Sequence, residues 1–233
     1  MSATRCGGNE EPVKRILSTA LSASSVAGSD ALAGVWGVAE GRRVGELWRV
    51  SESQAFTVAF SPDGSLIVTT DDGGVRVWRV SDVTEVTSFV LDGYTGEVFF
   101  TPDGGSLIVV WQDGVAILDL DSGERIDLAA GEAAFGALSP DGNLVGIGTD
   151  DGVNMWDLGA RQLTSSLRGH EGGVIGVRFH PNGRHLVTGG GDTVRGWTLD
   201  TDELVEIAGR RSTRPMTDPE CQTYLHLDAC PTG

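Results

Sequence analysis

Lysine is almost absent from this 233-residue chain: of 17 basic residues only Lys14 is a lysine, and the rest are arginines. Against 33 carboxylates this leaves a formal net charge of −16. A surface of that sign repels a phosphate backbone, which argues against nucleic acid as a partner. Long apolar runs are missing too, and no segment has the roughly 18 unbroken apolar residues a membrane span needs. The stretch 16–34 follows Lys14-Arg15 and is rich in Ala and Ser, but serines break its apolar centre. It is therefore a poor export signal, and a cytoplasmic location is expected. Cysteine is scarce. Cys221, His226 and Cys230 supply three metal ligands without a fourth, short of a structural zinc site. A Cys221–Cys230 disulfide is an alternative, and buried free thiols rank ahead of both. Cys6 lies in a leader, residues 1–12, expected to be disordered. No Gly-Lys-Ser/Thr phosphate loop and no basic helix-turn-helix occur, so neither nucleotide hydrolysis nor DNA reading is expected, and no cofactor is implied.

What the chain does have is one phrase repeated four times. Ser61-Pro62-Asp63-Gly64, Thr101-Pro102-Asp103-Gly104, Ser139-Pro140-Asp141-Gly142 and His180-Pro181-Asn182-Gly183 follow one another with prolines 40, 38 and 41 residues apart. Sixteen residues after each proline stands Trp78, Leu118, Trp156 or Trp197. Before each phrase runs an alternating segment such as Val58-Ala59-Phe60 or Val98-Phe99-Phe100, and period-two alternation marks a strand with one buried face. Proline presets φ, Asp bonds its own backbone and Gly tolerates positive φ, so the phrase is a tight turn. A second apolar run, an acidic-glycine turn, a third run ending near the tryptophan and a weaker, more polar fourth run complete the unit. Trp36 lies 42 residues before Trp78 and marks a fifth, eroded copy in which Ala20-Leu21-Ser22 replaces the turn phrase.

A period near 40 with four strands per repeat is that of β-propeller blades. The spaced Pro-Asp-Gly turns, the Trp156-Asp157 and Leu118-Asp119 pairs, and Gly169-His170 placed 27 residues before Trp197 resemble WD-repeat proteins over residues 13–208. The resemblance implies an all-β propeller of about five four-stranded units, the first eroded. It also implies structural roles for Trp36, Trp78, Trp156, Trp197 and His170. The family's bonded set of His, Ser/Thr, Asp and Trp is never complete: the second unit offers Thr70, Asp72 and Trp78 without a His, and the fifth has His170 and Trp197 but Gly191 at the acid position. Trp48 and Trp111 fall outside the repeat's Trp position and are expected to pack on outer strands or between blades. The tail, residues 209–233, carries basic Arg210-Arg211-Ser212-Thr213-Arg214, then Thr217-Asp218-Pro219-Glu220 as a capping box for a short helix over Cys221 to Leu227. It resembles the tail after WD repeats in bacterial STAND-type signalling ATPases and regulators, although none of their ATPase front is present.

Repeat units of this kind build binding surfaces rather than catalytic sites. The expected role is a non-catalytic interaction scaffold in a bacterial signalling protein. A fragment of a larger regulator, or a propeller hydrolase, are the competing readings. Asp72, Asp92, Asp113, Glu132, Asp150, Asp151, Glu171 and Asp192 fall on turns between second and third strands or on loops leading into the units. They define a candidate acidic face for a basic protein partner. The turn aspartates could ring a metal, but aspartate is also a favoured turn former, and that reading outweighs the metal. Five units are fewer than the family's usual seven. An open arc, with self-association or a partner at its bare blade faces, is therefore expected over a tight ring.

Overall fold

The structure is a computed structural model. It describes residues 16–18, 24–29, 32–37, 42–51, 57–91, 93, 95–112, 114–128, 135–191, 193–211 and 217–218. The first sheet holds β1 (Ile16–Ser18), β2 (Ser24–Ser29), β3 (Leu32–Gly37) and β4 (Arg42–Arg49). The second holds β5 (Val58–Phe60), β6 (Leu66–Asp71), β7 (Gly74–Arg79) and β8 (Glu85–Val90). The third holds β9 (Thr95–Phe100), β10 (Ser106–Trp111), β11 (Gly114–Asp119) and β12 (Arg125–Leu128). The fourth holds β13 (Gly136–Leu138), β14 (Leu144–Gly148), β15 (Gly152–Asp157) and β16 (Gln162–Arg168). The fifth holds β17 (Val174–Phe179), β18 (His185–Gly190) and β19 (Thr193–Thr198), followed by helix α1 (Thr201–Arg211). Each sheet is an antiparallel meander in chain order. The first sheet keeps four strands without the turn phrase, since β1 still pairs with β2 from Ile16↔Ala27 to Ser18↔Ser25.

The turn phrases form as their chemistry dictates. In the second sheet the Ser61 hydroxyl donates to Asp63 Oδ1 at 2.6 Å, Ser65 N–H donates to the same oxygen at 3.0 Å, and Leu66 N–H donates to Ser61 Oγ at 2.9 Å. Gly64 closes the turn at φ 72°, a region that favours glycine. The Ser61 hydroxyl, more than any other donor, lowers the Asp63 carboxyl to about 2. Thr101 with Asp103, and Ser139 with Asp141, repeat the arrangement. In the fifth sheet His180 and Asn182 substitute, with Asn182 N–H donating to His180 Nδ1 at 3.2 Å.

Cores lie between sheets, one per junction. Val68, Val75 and Val77 of the second sheet pack with Val98, Phe100 and Val109 of the third. Ile108, Val110 and Val115 of the third pack with Val145 and Ile147 of the fourth. Ala137, Val153 and Met155 pack with Val174, Val177 and Leu186 of the fifth. Trp48 on β4 packs against the cluster that joins Ala33 and Val35 of the first sheet to Val58, Phe60, Ile67 and Trp78 of the second. Trp111 on β10 is buried in the core shared by the second and third sheets, and the Arg125 guanidinium lies 4.9 Å from its ring centre. Among the described residues, no packing of comparable extent joins the fifth sheet to the first. The five sheets form an incomplete propeller.

Candidate protein-docking face

The turn between β6 and β7 is built around Asp71. This side chain is 4% exposed, accepts from Gly73 N–H at 2.8 Å and pairs with Arg76, which also donates to the Val50 carbonyl at 2.9 Å. The Ser51 hydroxyl bonds to it as well. Burial alone would push its pKa up, but the bonds from Arg76, Ser51 and Gly73 outweigh burial and hold it below the usual carboxylate value. The neighbouring Asp72 is exposed. Leu91, leading into the third sheet, donates its N–H to the Gly73 carbonyl at 3.3 Å, so the turn of one sheet holds the loop of the next.

The fourth sheet repeats this joint. The Asp151 carbonyl accepts from Gly169 N–H at 2.9 Å and His170 N–H at 3.0 Å, while the Thr149 carbonyl accepts from Val174 N–H at 2.9 Å. Asp150 and Glu171 are exposed beside this joint. The Asp151 side chain pairs with Arg168; the Thr149 hydroxyl bond is the largest influence holding its carboxyl below the ordinary value, with the arginine adding to it. Asp150, Asp151 and Glu171 are thus brought together by backbone bonds, and Asp72 sits on the corresponding turn of the second sheet. Asp92, Asp113, Glu132 and Asp192 lie outside the described residues, as do the leader, Cys221, His226, Cys230 and the helix expected over 221–227. Among the described residues, no group of His, Cys, Asp and Glu is placed to hold a metal ion. Among the described residues, no helix is long and apolar enough to cross a membrane.

The tryptophans show where the bonded set really lies. Trp197 Nε1–H donates to Thr188 Oγ1 at 2.8 Å, His170 Nε2 meets the same hydroxyl at 2.7 Å, and Thr193 Oγ1 lies 3.3 Å from His170 Nδ1. In the second sheet Trp78 Nε1–H donates to Thr69 Oγ1 at 2.9 Å. The sequence reading of Thr70 and Asp72 for this set is corrected by one residue each. Thr70 Oγ1 instead accepts from Thr57 N–H at 3.0 Å, and the inward acid is Asp71. Side chains alternate faces along a strand, so only Thr69 shares the tryptophan's face. The findable signal was spacing: the acceptor precedes its tryptophan by nine residues in both sheets, and Ser51 stands where the fifth sheet has His170.

The fourth sheet breaks the set. Nine residues before Trp156 stands Ile147, and Trp156 Nε1 is buried without a hydrogen-bond partner. A buried donor left unpaired costs about 1–3 kcal/mol. Ile147→Thr should therefore be at least as stable as Ile147→Val in thermal melts. A buried Val-to-Thr exchange ordinarily destabilises because its hydroxyl finds no partner, so a threonine variant melting well below the valine one would refute the assignment.

Comparison with known proteins agrees with this architecture. Residues 48–79 and 161–198 match the family described as WD domain, G-beta repeat. The chain is similar to apoptotic protease-activating factor 1 of Rattus norvegicus, 30% identical over 162 residues, which is 67% of this chain and 13% of that protein. It is similar to serine-threonine kinase receptor-associated protein of Gallus gallus, 27% identical over 178 residues, 69% of this chain and 51% of that one. Pre-mRNA-processing factor 19 homolog 2 of Arabidopsis thaliana is 29% identical over 155 residues, 61% and 30% respectively. The chain thus spans from about an eighth to about half of these relatives. The β-propeller domain of Myceliophteria thermophila Cps50 (Swd1) superposes with a TM-score of 0.73 at 15% identity, covering 82% of this chain and 67% of that one.

Proposed function

From a chain built of WD40 repeats folded as propeller blades, we infer a non-catalytic scaffold that docks a basic protein partner on its acidic turn face. The partner belongs to a cytoplasmic signalling assembly of a bacterial cell, the setting implied by the sequence resemblance. One observation carries the reading. The turns and loops at one end of the blades are locked to each other by backbone bonds, and they present Asp72, Asp150 and Glu171 on that rigid frame. Fixed carboxylates cost little ordering on binding, and in a chain of net charge −16 they speed encounter with a cationic partner. Bare blade faces give the same chain a means of self-association.

Asp150 and Glu171 are the residues to reverse, because Asp151 also bonds Arg168 and Thr149 within the fold. In affinity capture from the host, Asp150→Lys with Glu171→Lys should reduce recovery of the partner about tenfold at low salt, and less at high salt. Equal recovery by wild type and variant, with the variant folded, would move the docking site elsewhere.

A further inference from the structure

The fifth sheet carries a bare face that the other sheets show covered. Val68 and Val75 of the second sheet are 0% and 1% exposed, covered by the third. Ile108 and Val115 of the third, at the same repeat positions, are 1% and 0% exposed under the fourth. In the fifth sheet these positions are Val187 and Val194, which are 47% and 76% exposed. Ile175 on β17 is also 65% exposed. Between them the backbone lies open: a Cβ added at Gly176, Gly189 or Gly196 would meet nothing within 4 Å.

The register makes this face a checkerboard. β18 pairs with β19 through Val187↔Gly196 and Gly189↔Val194, so each valine has one glycine directly across and another two residues along its own strand, with the other valine on the diagonal. Turning such a pattern over about a two-fold axis lying in the face, perpendicular to the strands and between the two rows, places every valine above a glycine. The next row, His185↔Thr198, is held by α1, because His185 Nε2 lies 3.0 Å from Glu203 Oε2 and the Thr198 hydroxyl donates to the same oxygen at 3.0 Å. The same axis leaves each copy's α1 beyond the far end of its partner's patch.

We propose that two copies of this chain dimerise isologously through the fifth sheet, the Val187 and Val194 side chains of each seating over Gly189 and Gly196 of the other. This deepens the self-association named above and rests on that reading. The occupant follows from charge as well as shape. The patch itself is uncharged, and the nearest ion on its inner strand, Arg178, lies 3.7 Å from Glu97 of the third sheet. A basic partner finds no carboxylate on the checkerboard, whereas two copies meet there without opposing like charges. Sheet faces already pack on one another within the chain through apolar residues, and a two-fold contact demands a self-complementary patch of this kind.

The test is sedimentation velocity and light scattering of the full chain across a concentration series. The wild type should reach twice the mass of one chain. Val187→Asp with Val194→Asp should weaken dimerisation at least about tenfold, because each would bury an unpaired carboxylate. Gly189→Leu with Gly196→Leu should weaken it comparably by filling the receiving hollows, although it adds apolar surface. Val194→Thr, which keeps the branched shape, should have a smaller effect and guards against misfolding of the aspartate pair. A monomeric wild type at every concentration would overturn the proposal. So would leucine variants that associate as well as the wild type or better, which would mark the patch as merely adhesive. Asp150→Lys with Glu171→Lys should leave the mass unchanged, so loss of the basic partner and loss of the dimer are read separately.

Discussion

Leu118→Ala is expected to lower the free energy of unfolding by about 3 kcal/mol, read from the shift of a urea denaturation curve. Leu118 stands at the tryptophan position of the third sheet and is 0% exposed. At the acceptor position, nine residues earlier, the sheet has Val109, and at the position of His170 it has Leu91; these are 0% and 1% exposed. All three belong to one apolar cluster with Val68 and Phe100 of neighbouring strands. The bonded set that orders the fifth sheet is thus replaced in the third by packing alone. Removing three carbons from a site closed on every side leaves a cavity that β-sheet neighbours cannot collapse to fill. Placing the tryptophan of the neighbouring repeats there does not rescue the site. Leu118→Trp should also destabilise, by about 1–3 kcal/mol, because the space is full and Val109 offers the indole no acceptor. A loss below about 1 kcal/mol for the alanine variant would mean that the cluster carries little of this sheet's stability.

Much of this architecture was legible because the repeat makes its own ruler. The turn phrases gave four hairpins, and the residue sixteen positions later gave the third strands to within one residue. The fifth sheet, as described, has three strands and then α1 in place of a fourth strand; the other errors are of one residue, and their cause is physical. Thr69-Thr70 and Asp71-Asp72 are doublets of identical side chains at the end of β6 and in its turn, so residue type does not say which member points inward, and only the nine-residue spacing to Trp78 singles out Thr69. Packing decides it, through Trp78 for Thr69 and through Arg76 for Asp71. The helix α1 carried a readable sign that the repeat register overshadowed: Asp200 Oδ1 accepts from Asp202 N–H at 3.0 Å and Glu203 N–H at 3.1 Å, a cap with Glu three residues on. Val187 and Val194 match their buried counterparts in type, so their exposure could be seen only once neighbours were placed. Of the eight acidic residues of the candidate face, Asp150, Asp151 and Glu171 meet at one joint because a neighbouring loop bonds to their turn, a contact between repeats that no single repeat encodes.

Asp71→Asn should prove nearly as damaging, at about 2–4 kcal/mol near neutral pH. Asp71 is the buried hub between the β6–β7 turn and the segment leading into its sheet, joining Gly73, Arg76 and Ser51. Removing one member of a buried ion pair ordinarily costs about 3–5 kcal/mol; the lower figure here reflects an Arg76 side chain that is 32% exposed and retains some water. Asparagine keeps the shape but turns an acceptor oxygen into an amide donor facing the guanidinium. The pH dependence separates lost charge from lost shape. A carboxyl held below its ordinary value of 3.8 contributes stability that is complete above that value and disappears as pH falls through the folded-state pKa. The wild type should therefore lose stability on acidification below about pH 4, and the gap to Asp71→Asn should narrow there. Asp63, lowered to about 2 by Ser61 and Ser65, contributes to the same acid limb in both proteins and leaves the difference between them to Asp71. Urea midpoints measured at neutral pH and at about pH 3 give both slopes. A gap of constant size between the two conditions would show that Asp71 acts through its shape and neutral hydrogen bonds, and that its charge on Arg76 adds nothing to the joint.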